Sequence, residues 1–291
     1  NLAFRNSTEP IEARQAWSKW KRLADFTPGE LDRALERQGE RQGIVWRSLR
    51  VRRQPETLPQ RAAAALMEGR INVIEFAPGQ YDFITSFREA FAVTTAVERV
   101  ETDDLVFAVT ANFRDPKGKP LGLVIHEGRQ RNAPFPAWTG YFFVKDGRPW
   151  FGPKSLFEET PGILTEASQG YPSLMKNHTV FSYVDLAPNR FFDGDKITYR
   201  SLAGTRQNGT VVFILSGKGG VLNVAEIAAL AQKLNVQHAT LLDGGRALQY
   251  VLRTNGGGID FGAFNTTLDL PWRDLERQQS PVFIGARAKK T

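Results

Sequence analysis

The feature that most constrains the fold is a strand, helix and strand pattern in the last third of the chain. Residues 210–215 form a continuous apolar run rich in β-branched side chains, which predicts a buried strand. After a glycine-rich break, Asn223 predicts the start of a helix that extends to Leu234, because Glu226 stands three residues later and completes a capping box. A second apolar run, 239–242, predicts the next strand. This order predicts a right-handed crossover that joins two parallel strands.

The crossover also predicts where a ligand would bind. In such a unit the carboxyl ends of the strands and the first turn of the helix meet at one edge of the sheet. The two turns at that edge are 217–220 and 243–245, so we expect them to be neighbours. Asp243 is the first candidate for a catalytic or ligand-orienting carboxylate, because Gly244 and Gly245 carry no Cβ and allow a ligand to approach the main chain. The alternative is that Asp243 only caps a turn.

The break after the first of these strands is a candidate phosphate site. Ser216 begins it and Lys218 adds a positive charge, while main-chain N–H groups in a glycine-rich turn before a helix can bind anionic oxygens. The spacing of a phosphate-binding loop that ends in Gly-Lys-Ser/Thr is absent, so an ordinary linker is the alternative. Arg200 is a second candidate, because a guanidinium group can bind two phosphate oxygens at once. Its alternative is a structural or surface pair.

The middle of the chain alternates short β-rich runs with turn residues, which predicts many strands. Asp146-Gly147 predicts a tight hairpin turn with positive φ, and the apolar stripe in 87–100 predicts a helix. We therefore expect an α/β fold of the mixed α+β kind, with a mixed β-sheet core and flanking helices. The predicted strands are 44–51, 71–76, 82–85, 105–110, 121–126, 140–145 and 148–151.

The first 43 residues differ in pattern from the rest of the chain. Residues 11–24 predict one helix. A second helix is predicted from Thr27, with Pro28 in its first turn and Glu30 completing the cap, and it ends at 42–43. We therefore predict two parts, a helical N-terminal appendage of residues 1–43 and a domain of residues 44–291.

Composition and charge exclude several classes of protein. No run approaches the ~20 apolar residues of a transmembrane helix, and the absence of cysteine excludes disulfides and thiolate ligands. The 3 histidines lack metal-site spacing, so we expect no metal and no other cofactor. The net charge of +7 favours anionic partners, and nucleic-acid binding has little beyond this charge in its favour. The oligomeric state is not indicated. The chain begins at Asn1, and we expect an exported protein whose signal peptide has been removed.

Several motifs, in their order along residues 44–285, resemble those of the phosphodiester glycosidase family, which includes exported bacterial proteins associated with exopolysaccharide. The order of the motifs carries more weight than any one of them. They are Asn112-Phe-Arg-Asp115 with the following Pro120-x-Gly122-Leu, Gly140-Tyr-Phe-Phe, Gln169-Gly-x-Pro172, Tyr199-Arg200-Ser-x-x-Gly204, the apolar strand that ends at Ser216, and Leu242-Asp243-Gly244-Gly245.

The resemblance implies a hydrolase that cleaves a phosphodiester between the anomeric carbon of a sugar and another alcohol, in a periplasmic, cell-surface or secreted glycopolymer. Its partner would be a sugar phosphate or an anionic glycan. Asp243 would be catalytic, and Glu127 and Asp115 are candidates for the second carboxylate that glycoside cleavage commonly uses. The substrate-binding residues implied are Arg200, Gly204, Ser216, Lys218, Gly244, Gly245, Asn112, Gln169 and Arg246, with no metal ligand.

The sequence departs from the family pattern at three places. Arg246-Ala247 stands where many members have Gly-Ser, Thr110 stands where Asn is usual, and 169–172 reads Gln-Gly-Tyr-Pro. These departures support an alternative in a different class, a protein of the same fold that binds carbohydrate or another anionic polymer without catalysis.

Overall fold

The computed structural model describes residues 2–5, 20–53, 69–186, 194–263 and 279–289. Among these residues are 20 strands and five α-helices, numbered here in chain order. The helices are α1 (Pro28–Ala34), α2 (Ala96–Thr102), α3 (Lys154–Glu159), α4 (Ser182–Leu186) and α5 (Val224–Lys233). The strands are β1 (Leu2–Arg5), β2 (Trp20–Arg22), β3 (Glu36–Arg41), β4 (Ile44–Arg53), β5 (Gly69–Phe76), β6 (Tyr81–Phe87), β7 (Phe107–Thr110), β8 (Val124–His126), β9 (Arg129–Asn132), β10 (Gly140–Lys145), β11 (Arg148–Pro153), β12 (Leu164–Gly170), β13 (Ser173–Lys176), β14 (Thr179–Val180), β15 (Ser201–Thr205), β16 (Val211–Ser216), β17 (His238–Leu241), β18 (Gln249–Thr254), β19 (Gly257–Gly262) and β20 (Val282–Ala288).

The strands form three sheets. The largest has 10 strands, in the order β14-β13-β17-β15-β16-β5-β4-β1-β2, with β3 also paired to β4. Two sheets of five strands have the orders β11-β10-β12-β8-β9 and β19-β18-β7-β20-β6. The expected β-sheet core with flanking helices is confirmed, but the expectation of mixed sheets is wrong, because every pairing between the described strands is antiparallel.

The predicted strand, helix and strand unit corresponds to β16, α5 and β17. Both strands pair antiparallel with β15, which lies between them, so β16 and β17 run in the same direction. The sequence pattern therefore predicts their relative direction correctly, but it does not predict the strand that separates them. The cap of α5 is also as predicted, because the Asn223 side chain accepts a hydrogen bond from the N–H of Glu226 in a complete capping box.

The large sheet is covered on both faces, which explains why β16 is apolar throughout. Phe213 and Leu215 pack with one group of buried residues, whereas Val212 and Ile214 pack with another. Successive side chains of a strand point to opposite faces, so a strand that is buried on both sides has no polar alternation. The first group joins the large sheet to the smaller sheets through aromatic contacts, such as that of Phe213 with Phe107, whose ring centroids are 4.6 Å apart.

The other face of the large sheet is covered by helices. Ile227 and Leu230 of α5 are fully buried there, together with Leu31 of α1 and Leu49 of β4. None of the helices in the described ranges is both long and apolar enough to cross a membrane.

The prediction of a helical N-terminal appendage is wrong for the described residues. The helix start at Thr27 is confirmed, with its capping box and Pro28, but α1 ends at Ala34. The next residues form β3, which pairs antiparallel with β4 across the predicted boundary at residues 43 and 44. Residues 20–22 form β2 where a helix was predicted, and 11–19 lie outside the described residues. The division into 1–43 and 44–291 stays a prediction.

The helix predicted over 87–100 is wrong in its first half. Phe87 ends β6, and a short 3-10 turn follows at Glu89–Phe91. Only α2 is helical, and it begins after Thr95, whose side chain accepts a hydrogen bond from the Glu98 N–H. The capping box of Thr95 and Glu98 indicates the correct start of this helix, but the prediction followed the apolar stripe, which begins earlier at Phe87.

Candidate functional site

Asp243 follows β17, in the turn before the 3-10 segment Gly245–Ala247. Its main-chain N–H donates to the Ala111 carbonyl at 3.0 Å, and only 6% of the residue is exposed. Burial raises the pKa of the Asp243 carboxyl to about 7, although the positive charge of Arg114 and the N–H of Gly244 act in the opposite direction. The turn therefore holds a carboxyl group that can be protonated or ionised near neutral pH.

The segment Tyr199-Arg200 separates the two turns that were expected to be neighbours. On one side, the N–H of Gly245 donates to the Tyr199 carbonyl at 2.8 Å. On the other side, the Ser216 N–H donates to the Arg200 carbonyl at 2.9 Å, and the Arg200 N–H donates to Ser216 Oγ at 2.8 Å. A Cβ on Gly244 would lie 2.7 Å from the Tyr199 carbonyl oxygen, so this position requires glycine.

The main-chain donors of the loop after β16 are largely used within the chain. The N–H groups of Gly217 and Gly220 donate to the carbonyls of Arg70 and Gly217, and the N–H of Gly219 donates to the Tyr199 hydroxyl. Ser216 Oγ is occupied by the main chain of Arg200. The exposed group of this loop is the Lys218 side chain.

Two further predicted residues are engaged in the framework of the site. Arg200 is 8% exposed, and its guanidinium donates to the main-chain carbonyls of Leu222 at 3.2 Å and Lys196 at 2.7 Å. Gly204 lies in β15, where a Cβ would approach the His238 carbonyl oxygen to 2.5 Å. The glycine thus permits the close pairing of β15 with β17.

The loop after β7 contributes the cation that faces Asp243. Asp115 shapes this loop, because its Oδ1 accepts hydrogen bonds from the N–H groups of Lys117 and Lys119, each at 2.8 Å. Arg114, directly before it, is the residue whose charge acts on Asp243. Asn112 is fully buried; its amide NH₂ donates to two main-chain carbonyls, whereas its Oδ1 accepts no hydrogen bond in the described part of the chain.

A cluster of four aromatic side chains lies beside this loop. Trp138 contacts Phe113, Phe135 and Tyr171, with ring centroids 5.0, 5.4 and 6.1 Å apart. Gln169 fixes the Trp138 segment, since its side chain accepts from the Phe135 N–H at 2.8 Å and donates to the Trp138 carbonyl at 2.9 Å.

The aromatic cluster adjoins the Asp243 turn at two points. Phe113 is two residues from Ala111, which binds the main chain of Asp243. Tyr171 precedes Pro172, whose carbonyl accepts the N–H of Leu241 at 3.0 Å, two residues before Asp243. Neither Arg114 nor the cluster was predicted from the sequence. Arg114 lies within the Asn112-Phe-Arg-Asp115 motif, whereas the aromatic residues are spread over four segments and form no recognisable pattern.

Arg246 is exposed on the 3-10 segment that follows Asp243. This segment is held by Thr110, whose hydroxyl donates to the Ala247 carbonyl at 2.9 Å and accepts the Gln249 N–H at 3.2 Å. Gly245 has φ of 57°, a conformation that favours glycine. The structure therefore presents a second arginine at the same turn as Asp243.

Glu127 is not brought together with Asp243. It lines a separate cavity next to Phe87 of β6. Phe87 pairs with Val282 of β20, whose carbonyl accepts the N–H of Ala111. Two strand spacings, on the order of 10 Å, thus separate that cavity from the strand beside Asp243. Among the described residues there is no group of three or more His, Cys, Asp or Glu side chains that could hold a metal ion.

Known structures and one family model resemble this chain. The catalytic domain of zebrafish N-acetylglucosamine-1-phosphodiester alpha-N-acetylglucosaminidase, auto-inhibited by its pro-peptide, has a TM-score of 0.63 at 12% identity, and 92% of each chain is covered. A hypothetical protein from Synechocystis has a TM-score of 0.57 at 12% identity, covering 85% of this chain and 62% of that one.

A Burkholderia pseudomallei protein described as exported has a TM-score of 0.54 at 10% identity, covering 76% of this chain and 74% of that one. At these identities the likeness is one of fold. No curated protein matches the sequence. The family model for phosphodiester glycosidases matches residues 103–277, which is more than half of the chain. The chain therefore belongs to the phosphodiester glycosidase family.

Proposed function

We propose that the protein hydrolyses a phosphodiester that joins the anomeric carbon of a sugar to another alcohol, with Asp243 as the catalytic base. The observation that carries this proposal is the buried Asp243 carboxyl, whose pKa is raised to about 7 beside the charge of Arg114. A general base is most effective when its pKa lies near the working pH. The glycine at position 244 lets the turn pack closely against the Tyr199 carbonyl, which holds Asp243 in place.

The reaction needs one carboxylate in this arrangement. Ionised Asp243 takes a proton from water, and the water oxygen attacks the anomeric carbon. The bond from that carbon to the phosphate oxygen breaks, and its electron pair leaves with the phosphate, giving a free sugar and a phosphate monoester. A phosphate monoester has a second pKa of about 6, so it can leave without a general acid. This accounts for a site in which Glu127 lies elsewhere and Asp115 Oδ1 is bound by its own loop.

The surrounding residues bind the substrate in this proposal. Arg114 and Arg246 bind the phosphate, because guanidinium groups match its oxygens and meet the charge that develops on it. Asn112 is fully buried and acts indirectly, because its amide NH₂ donates to the main-chain carbonyls of Leu121 and Leu123 in the loop that carries Arg114. The sugar ring packs on the aromatic cluster around Trp138. Arg200 acts indirectly, by holding the segment between the two turns.

The substrate belongs to the class of glycopolymers outside the cytoplasm. The name of the zebrafish relative specifies an N-acetylglucosamine-1-phosphodiester, and the Burkholderia relative is described as exported. A net charge of +7 favours association with an anionic polymer. We therefore place this protein in the periplasm or outside the cell, acting on phosphodiester-linked sugars of a cell-surface or secreted polymer.

The test uses the methyl phosphodiester of N-acetylglucosamine 1-phosphate in water enriched in ¹⁸O. The expected products are N-acetylglucosamine that carries the label and unlabelled methyl phosphate, both read by NMR and mass spectrometry. D243N should lower the rate by about 100-fold to 10,000-fold, whereas D32N, at a side chain 62% exposed, should leave it unchanged. Label in the phosphate, or full activity of D243N, would overturn the mechanism.

The second candidate is a binding protein without catalysis. It is favoured by Arg200, a predicted phosphate ligand, because this residue is 8% exposed and its guanidinium donates to main-chain carbonyls rather than to a substrate. Retention of an anionic glycan, with no product over a panel of sugar 1-phosphodiesters, would select this candidate.

A further inference from the structure

The cavity that contains Glu127 is a second candidate site, outside the Asp243 turn. Its volume is about 550 Å³, and it lies between β6, the β8–β9 hairpin, β12 and the end of β20. Apart from Glu127, which was predicted as a second catalytic carboxylate, no residue considered for the hydrolytic site lines it. A ligand bound here would therefore be distinct from the substrate of the Asp243 site.

A buried carboxylate and a histidine form the inner wall of this cavity. Glu166 is 4% exposed, and its Oε2 accepts the N–H and the hydroxyl of Thr85 at 2.8 and 2.6 Å. His126 Nδ1 lies 3.1 Å from the same oxygen, and the N–H of Glu127 donates to Oε1 at 3.1 Å. The hydrogen bond between His126 and the Glu166 carboxylate raises the pKa of His126. Because Nδ1 faces the carboxylate, the Nε2 side of the ring is left for a ligand.

Unusual backbone conformations concentrate around the same cavity. Among the described residues, eight that are not glycine have positive φ. Five of them are Asp, Asn or His, the types that adopt this conformation most readily. The other three are Ala90, Phe91 and Glu127, with φ of 54°, 57° and 51°, and all three line the cavity. Backbone strain of this kind tends to occur at functional sites.

The charges of the cavity select one class of ligand. Arg131 and Arg287 line it together with His126, and they suit an anionic group. Three carboxylates besides Glu166 also line it. Asp103 is paired with Arg99, whereas Glu89 and Glu127 would repel a bare anion but accept hydrogen bonds from hydroxyl groups. Phe87 and Phe91, whose ring centroids are 5.0 Å apart, supply an apolar wall.

We propose that this cavity binds an acidic monosaccharide, that is, a sugar with a carboxylate or a phosphate substituent. The arginines bind the acidic group, the glutamates accept the sugar hydroxyls and the phenylalanines contact the ring. The proposal does not depend on hydrolysis at Asp243, so each can fail without the other.

Isothermal titration with four probes tests it: glucuronate, glucose 6-phosphate, glucose and inorganic phosphate. At least one acidic sugar should bind, glucose should not, and inorganic phosphate should bind at least about tenfold more weakly than glucose 6-phosphate. The preference between the two acidic sugars identifies which acidic group is recognised. Equal affinity for phosphate and glucose 6-phosphate, or no binding of either acidic sugar, overturns the proposal.

Three variants locate the bound probe. R131Q should weaken binding by about tenfold or more, because it removes a charge-assisted hydrogen bond. R129Q is the matched control on the same strand, since Arg129 is exposed and does not line the cavity. R114Q, at the Asp243 site, should also leave the affinity unchanged. Loss of binding in R114Q but not in R131Q would place the probe at the other site and overturn the proposal.

Discussion

At the scale of single residues, burial decides the chemistry of Asp243. An exposed aspartate is ionised at neutral pH, whereas this one has a pKa raised to about 7 because its carboxyl is removed from water. The sequence indicated the residue through its Asp-Gly-Gly turn. It could not indicate the raised pKa, since this comes from burial against segments distant in sequence, such as Ala111, whose carbonyl accepts the Asp243 N–H.

The proposed role of Asp243 as a base predicts how hydrolysis depends on pH. Below a pKa of about 7 the carboxyl is protonated and cannot accept a proton from water. We expect kcat/KM to fall about tenfold per pH unit as the pH drops below 7, and to level off above it. Initial rates on the methyl diester between pH 5 and 9 measure this. A rate that increases toward low pH would assign Asp243 the role of a general acid.

The same pKa affects the stability of the fold. Between pH 3.8 and about 7 the native state keeps the proton of Asp243 while the unfolded state loses it, so the free energy of unfolding decreases as the pH rises through this range. Above it, the loss is about 4 kcal/mol. D243N carries no charge at any pH and should avoid this loss. Urea unfolding at pH 5 and pH 8 should show a D243N advantage that is larger at pH 8; an equal difference at both values would contradict the raised pKa.

At the scale of elements, the sequence predicted best where local signals and tertiary packing agree. The capping boxes at Thr27 and Asn223 and the Asp146-Gly147 hairpin are found as expected. The secondary-structure prediction was wrong for β3, because most of its residues, Glu-Arg-Gln-Gly-Glu-Arg, favour a helix. Pairing with β4 overrides that preference, and a single sequence does not reveal which strand offers a free edge. β15 was also missed, because five residues containing a glycine form a weak pattern.

The cap of α5 provides a test at this scale. N223A removes the side-chain acceptor for the Glu226 N–H, which is bound at 2.8 Å. We expect the free energy of unfolding to decrease by about 1 kcal/mol. N255A, in the exposed turn between β18 and β19, is the control and should change stability far less. Equal effects of the two substitutions would show that the cap does not stabilise the helix in this context.

At the scale of the whole molecule, the three sheets share one aromatic core, and the two proposed sites lie on different strands. The Asp243 site draws on the loop after β7, the turn after β12 and the turn after β17. The order of motifs placed Asp243 and Glu127 in one predicted site, but antiparallel pairing through β7, β20 and β6 separates Glu127 from Asp243. That separation depends on the order of the strands in the sheet, and this order cannot be read from the order of the motifs along the chain.

The net charge of the molecule leads to a prediction about salt. An excess of seven positive charges attracts an anionic polymer over long range, whereas a small diester carries one charge and interacts mainly within the site. Ions shorten the range of this attraction to about 10 Å at 0.1 M salt and about 3 Å at 1 M. We therefore expect kcat/KM on a phosphodiester-linked glycopolymer to fall severalfold between 0.05 and 0.5 M sodium chloride, while kcat/KM on the methyl diester changes little. Parallel loss on both substrates would mean that salt acts on the phosphate contacts of Arg114 and Arg246, and that the surface charge does not guide the polymer to the site.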